Sequence, residues 1–171
     1  MTKRKHLIMT LLSLACAEQA DARDRPLAAP TPPFDVATFF LGKTEGEGRL
    51  KVVMRKTKTV RVHGSGSVDA SGNVTLNQTV ETAGKPSTTR TWIIAAIGNN
   101  RYGGSLTGTI SPIRGVVSGN CLHLWLKMKG GLKAEQWLYL QPGGRVALNR
   151  MIIRKMGIHV ATLEETIRKV D

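Results

Sequence analysis

Cysteine is scarce in this chain of 171 residues, with only Cys16 and Cys121 present. If the segment bearing Cys16 is removed or lipidated, Cys121 is the sole thiol left, and no internal disulfide forms even in an oxidising compartment. Acids are scarce too, 12 against 25 lysines and arginines. Between Gly48 and Leu163 the only carboxylates are Asp69, Glu81 and Glu135, which argues against paired-carboxylate chemistry of the glycosidase kind. His63, His123 and His159 follow no metal-ligand spacing, and neither His-Glu-x-x-His nor Cys-x-x-Cys occurs, so no metal site is expected. Ser105, in Gly103-Gly104-Ser105-Leu106-Thr107-Gly108, does not stand in a Gly-x-Ser-x-Gly elbow. The glycine-rich His63-Gly64-Ser65-Gly66-Ser67 lies between strands rather than before a helix, so it reads as a turn or bulge and not as a phosphate cradle. No catalytic residues and no cofactor are expected, and the chain is not expected to be an enzyme. Long apolar runs are also missing. The longest, Leu7–Ala17, has 11 residues, whereas a membrane-spanning helix needs about 20.

That short run is informative in its context. Lys3-Arg4-Lys5 precede it, and Ala20-Asp21-Ala22 follow as a small-x-small cleavage site, the pattern of a secretory signal segment over residues 1–22. Ser13-Leu14-Ala15-Cys16 loosely matches the box at which lipoproteins are cut and acylated, so the alternative is a segment 1–15 with Cys16 lipidated. Both readings place the protein in the periplasm, soluble or held to a membrane through Cys16. Residues 23–34 hold Pro26, Pro30, Pro32 and Pro33 among alanines and read as a semi-extended linker. The formal charge of +13 falls to +12 without residues 1–22, which carry three cations and two acids. For an exported chain this points to an anionic membrane surface or lipopolysaccharide rather than nucleic acid. Oligomeric state is not assigned.

From Gly46 onward a period of two dominates. Leu50, Val52 and Met54 alternate with Lys51 and Arg55. Val60 and Val62 alternate with Arg61 and His63, and Leu122, Leu124 and Leu126 with His123, Trp125 and Lys127. Half-buried antiparallel strands have this pattern. Only Trp92–Ile97 is apolar on both faces, and it is expected to be the most enclosed strand. Turn signals at short, regular intervals (Gly64-Ser65-Gly66, Ser71-Gly72-Asn73, Gly98-Asn99-Asn100, Ser118-Gly119-Asn120, Gly130-Gly131) give about nine strands without intervening helices. The fold class is therefore all-β, with residues 35–171 as an antiparallel up-and-down, lipocalin-like barrel of about 8–10 strands. Asp35 is placed to cap a short helical turn through Val36–Leu41. Residues 162–170 fit a capping box and helix or a closing strand, with the strand preferred.

Phe39-Phe40-x-Gly42, Gly46-x-Gly48, Trp92, Tyr102-x-Gly104, Gly115, Gly119-Asn120, Trp137 and Asn149-Arg150-x-x-x-x-Lys155-x-Gly157 occur in one order along residues 35–170. In this series the chain resembles the family catalogued as domain of unknown function 3833, proteobacterial envelope proteins often described as lipoproteins. The resemblance implies an envelope location and a shared fold, and no defined chemistry. The chain departs from the pattern at Glu135-Gln136-Trp137, where relatives tend to carry an acidic pair, and at Thr109, where an aspartate is frequent.

The candidate ligand-binding residues are the aromatics Trp92, Tyr102, Trp125, Trp137 and Tyr139, with Arg150. Tryptophans at a barrel mouth with a basic rim suit a lipid or fatty acid, and Arg150, if buried, requires an acidic partner such as Glu135 or a ligand carboxylate. The alternative is a solid barrel with the aromatics as core filling. Its basic stripe of Arg49, Lys51, Arg55, Lys56, Lys58 and Arg61 would then rest on anionic lipid or lipopolysaccharide.

Overall fold

The computed structural model describes residues 32–170. The signal segment, Cys16 and most of the proline-rich linker lie outside the described residues. Asp35 accepts a 2.8 Å bond from the Thr38 amide and starts α1, Val36–Phe40. Ten strands follow: β1 Gly42–Val52, β2 Lys58–Val68, β3 Val74–Thr82, β4 Thr88–Ala96, β5 Arg101–Leu106, β6 Ile113–Ser118, β7 Cys121–Met128, β8 Leu132–Leu140, β9 Val146–Lys155 and β10 Ile158–Val170. Each pairs antiparallel with its sequence neighbours, and β1 pairs β10 from Lys43↔Val170 to Val52↔Ala161, which closes the barrel. The C-terminal segment is thus the last strand and not a helix.

The two ends of the barrel differ. At one end α1 buries Val36, Phe39 and Phe40, and Phe34 joins them, with ring centroids 5.0–6.3 Å apart. The turns at this end join β2–β3, β4–β5, β6–β7 and β8–β9. Lys169 Nζ donates to the carbonyls of Thr38, Phe39 and Leu41, tying α1 to β10. Asn120, buried in the β6–β7 turn, donates to the Leu140 carbonyl at 2.9 Å. The largest fully buried side chains, including Leu76, Leu122 and Leu138, form one core with this plug. Toward the other end the inward residues Leu50, Val80, Met128 and Ile153 are only partly buried. No α-helix covers that mouth among the described residues, where only a 3-10 turn, Lys129–Gly131, joins β7 to β8.

Three local expectations are corrected. Gly64-Ser65-Gly66 is not a turn but part of β2, with Gly64 and Gly66 on its inner face. A Cβ on Gly66 would strike the Phe40 carbonyl, so glycine here makes room for the plug. Trp92–Ile97 is not the most enclosed segment, because Ile93 and Ile97 are 46% and 58% exposed. Met54 does not continue the apolar face of β1. The chain leaves the sheet at Val52, and Met54 stands in the turn, 99% exposed.

Candidate functional site

The barrel interior holds a polar seam that strand alternation directs inward. On β3, Gln78 lies between Leu76 and Val80. On β4, Arg90 shares the inner face with Trp92. Gln78 Oε1 accepts from Arg90 Nε at 2.7 Å and from Trp92 Nε1 at 2.9 Å. The guanidinium lies 5.7 Å from the Trp92 ring centroid, within cation–π range. Facing them, Gln136 Nε2 donates to Asn149 Oδ1 at 3.0 Å, and Asn149 Nδ2 donates to Glu165 Oε2 at 2.8 Å. Gly46 leaves the space that the Glu165 carboxylate occupies.

The two halves sense each other. Burial pushes the Glu165 carboxyl up from its ordinary range, against the opposing pull of the Asn149 hydrogen bond and the Arg90 charge. Burial pushes the Arg90 guanidinium down, with Glu165 working the other way. Arg90 stays cationic regardless. Its side chain is still partly accessible. Gln136 Oε1 is buried with no hydrogen-bond partner among the described residues, an unmet acceptor in an otherwise paired seam.

A second cluster stands on the outer wall. The His123 ring lies 3.8 Å from Trp125 and 4.7 Å from Trp137, centroid to centroid. Its Nε2 meets Glu135 Oε1 at 2.9 Å, while Arg154 Nη1 reaches Glu135 Oε2 at 3.4 Å. Burial lowers the His123 pKa more than Glu135 raises it. Beside the cluster runs a groove of about 610 Å³ lined by Trp125, Arg114, Lys127, Lys133, Glu135 and Arg154.

The six residues singled out in the sequence therefore do not share one site. Trp92 and Tyr102 face inward, Trp92 in the seam and Tyr102 toward the plugged end, where burial and the Asp35 carboxylate push its phenol up. Trp125, Trp137, Tyr139 and Arg150 lie on the outer face, because each alternates with a buried neighbour: Leu126, Leu138, Leu140 and Asn149. Glu135 serves His123 and Arg154. Cys121 is half-buried, and its thiol is pushed up by burial, which disfavours the thiolate a nucleophile needs. No group of three or more His, Cys, Asp or Glu side chains able to hold a metal occurs among the described residues. The seam residues Gln78, Arg90, Gln136, Asn149 and Glu165 escaped the sequence reading. Their signal was a polar side chain in phase with apolar inward positions.

Among solved structures, the chain is similar to an S-type phycobiliprotein lyase from Guillardia theta. The TM-score is 0.64 at 7% identity, over 79% of this chain and 90% of that one. It is also similar to a protein of unknown function of the DUF3598 family from Nostoc punctiforme, with a TM-score of 0.59 at 14% identity, over 83% of this chain and 53% of that one. At such identities the likeness is one of fold alone, a closed antiparallel β-barrel. Comparison with curated proteins gives no match. The profile described as protein of unknown function, DUF3833, matches residues 10–169, and the chain belongs to that family.

Proposed function

We propose that this is a non-enzymatic cell-envelope protein whose barrel takes up an amphipathic anion, such as a fatty acid or lipid, with Arg90 receiving the anionic head. The observation that carries this reading is the arginine inside the barrel, held by Gln78 over Trp92 and facing a carboxyl that burial makes reluctant to ionise. Retaining ionic and amide groups in the lumen of a small barrel is costly unless they meet complementary groups. A carboxylate or phosphate on Arg90 would form charge-assisted hydrogen bonds, and Glu165 is ready to hold a proton in exchange. The partly buried Leu50, Val80, Met128 and Ile153 pack against the core on its mouth side and would suit an alkyl chain. Export follows from the N-terminal pattern of Lys3-Arg4-Lys5, the short apolar run and Ala20-Asp21-Ala22.

The full chain, expressed in a bacterial host and purified without detergent, is to be analysed by native mass spectrometry and lipid extraction. It is then titrated with a fluorescent fatty acid. One ligand per barrel is expected, with binding at least tenfold weaker in Arg90→Gln at an unchanged melting temperature. The absence of both a co-purified lipid and saturable binding of the fatty acid would end the proposal.

A further inference from the structure

The uncovered mouth carries the most exposed large apolar side chains among the described residues. Met54, in the β1–β2 turn, is 99% exposed, and Met156, in the β9–β10 turn, is 87% exposed. Ile158 beside it is 70% exposed. Both methionines adopt left-handed backbone angles, with φ of 60° and 50°, at positions where glycine or asparagine would sit without strain. A large apolar side chain that is both strained and fully solvated at a turn is unfavourable on two counts. Here the same exception occurs twice on adjoining hairpins. These hairpins are joined, since the Val53 amide donates to the Val160 carbonyl at 3.0 Å and Val52 pairs Ala161. The two tips therefore present one edge. Ile110, in the β5–β6 loop at the same end, is 61% exposed.

Charge sets the nature of the partner. The turns at this end carry Arg55, Lys56, Lys85 and Lys129 and no carboxylate. Arg49–His63 and Arg150–Leu163, the parts of the two hairpins nearest the mouth, contain no acid either. At the plugged end, by contrast, Asp35 and Asp69 are present. Isolated apolar tips ringed by long cations match a surface that is apolar a few ångströms below an anionic layer. Methionine tips reach past the headgroups while lysine and arginine stems stay at the phosphates.

We propose that the mouth of the barrel docks on an anionic membrane, with Met54 and Met156 inserted as paired tips and the surrounding lysines and arginines on the lipid phosphates. This goes beyond the reading of the interior and uses none of its residues, so either can fail alone. It also turns the mouth toward the phase from which a lipid would come.

The test uses the full chain with Cys16→Ser, which removes lipidation, and Cys121→Ser, which removes the remaining thiol. An environment-sensitive dye is attached through M156C, or through S71C in the β2–β3 turn of the plugged end. Vesicles are phosphatidylcholine alone or with about a third phosphatidylglycerol. The dye at position 156 is expected to shift to the blue only with anionic vesicles and to lose that shift in high salt, while the dye at position 71 stays unchanged. M54S/M156S with native Cys121, compared with its Cys16→Ser parent, is expected to bind anionic vesicles at least fivefold more weakly with the same melting temperature. An unshifted dye at position 156, or equal shifts at both positions, overturns the proposal. So does a shift produced by added envelope proteins but not by lipid.

Discussion

Glu165 occupies a space that exists only because position 46 has no side chain, and it holds Asn149 at 2.8 Å. Its raised pKa has a consequence for stability. The folded state binds the Glu165 proton more firmly than the unfolded chain does. This contribution is complete below the ordinary carboxylate range and is lost as pH rises through the raised value. Glu165→Gln keeps an acceptor for Asn149 and removes the ionisation. Relative to the parent, the variant should therefore gain stability as pH rises above the ordinary carboxylate range, read as a rising difference in melting temperature. Parallel pH profiles in thermal denaturation would refute the assignment. The same residue shows how much of the seam could be read beforehand. Glu165 lies in phase with Leu163 and Ile167, as Gln78 does with Leu76 and Val80, so its inward direction was legible. That Arg90 and Glu165 act on one another was not, because they belong to strands distant in sequence and meet only once the sheet closes.

Among the elements, α1 depends on β2 as much as on its own sequence. Asp35 caps it locally, but Phe39 and Phe40 are buried because Gly66 lets the helix backbone approach the strand. Gly66→Ala places a methyl against the Phe40 carbonyl and should cost about 1–3 kcal/mol in denaturant unfolding. Ser65→Ala, one residue away on the exposed face, should stay within about 0.5 kcal/mol. Equal effects would mean that the plug does not rest on this contact. Strand content was legible because alternating valines and leucines have no other stable arrangement. Where each strand ended was less so. A glycine pair resembles a turn whether it bends the chain or receives a neighbour, and Met54 continues a period whose strand has already stopped.

For the whole molecule, closure is the decisive event. β1 and β10 pair along Lys43↔Val170 to Val52↔Ala161, the longest sequence separation in the sheet. Truncation after Gly157 would leave two open edges and remove Leu163, Glu165 and Ile167 from the interior. It should yield no soluble monomer by size-exclusion chromatography, since unpaired edges are templates for association. A well-behaved truncated monomer would show that closure is dispensable. The amino-acid order by itself determined an all-β, up-and-down chain, the cap at Asp35 and the basic character, because these rest on local periodicity, turn chemistry and charge count. Only the tertiary structure decided that the aromatics divide between two faces, that an arginine and a glutamate share the lumen, and that two methionines mark one rim. Such relations depend on which distant strands become neighbours, and no local pattern encodes that.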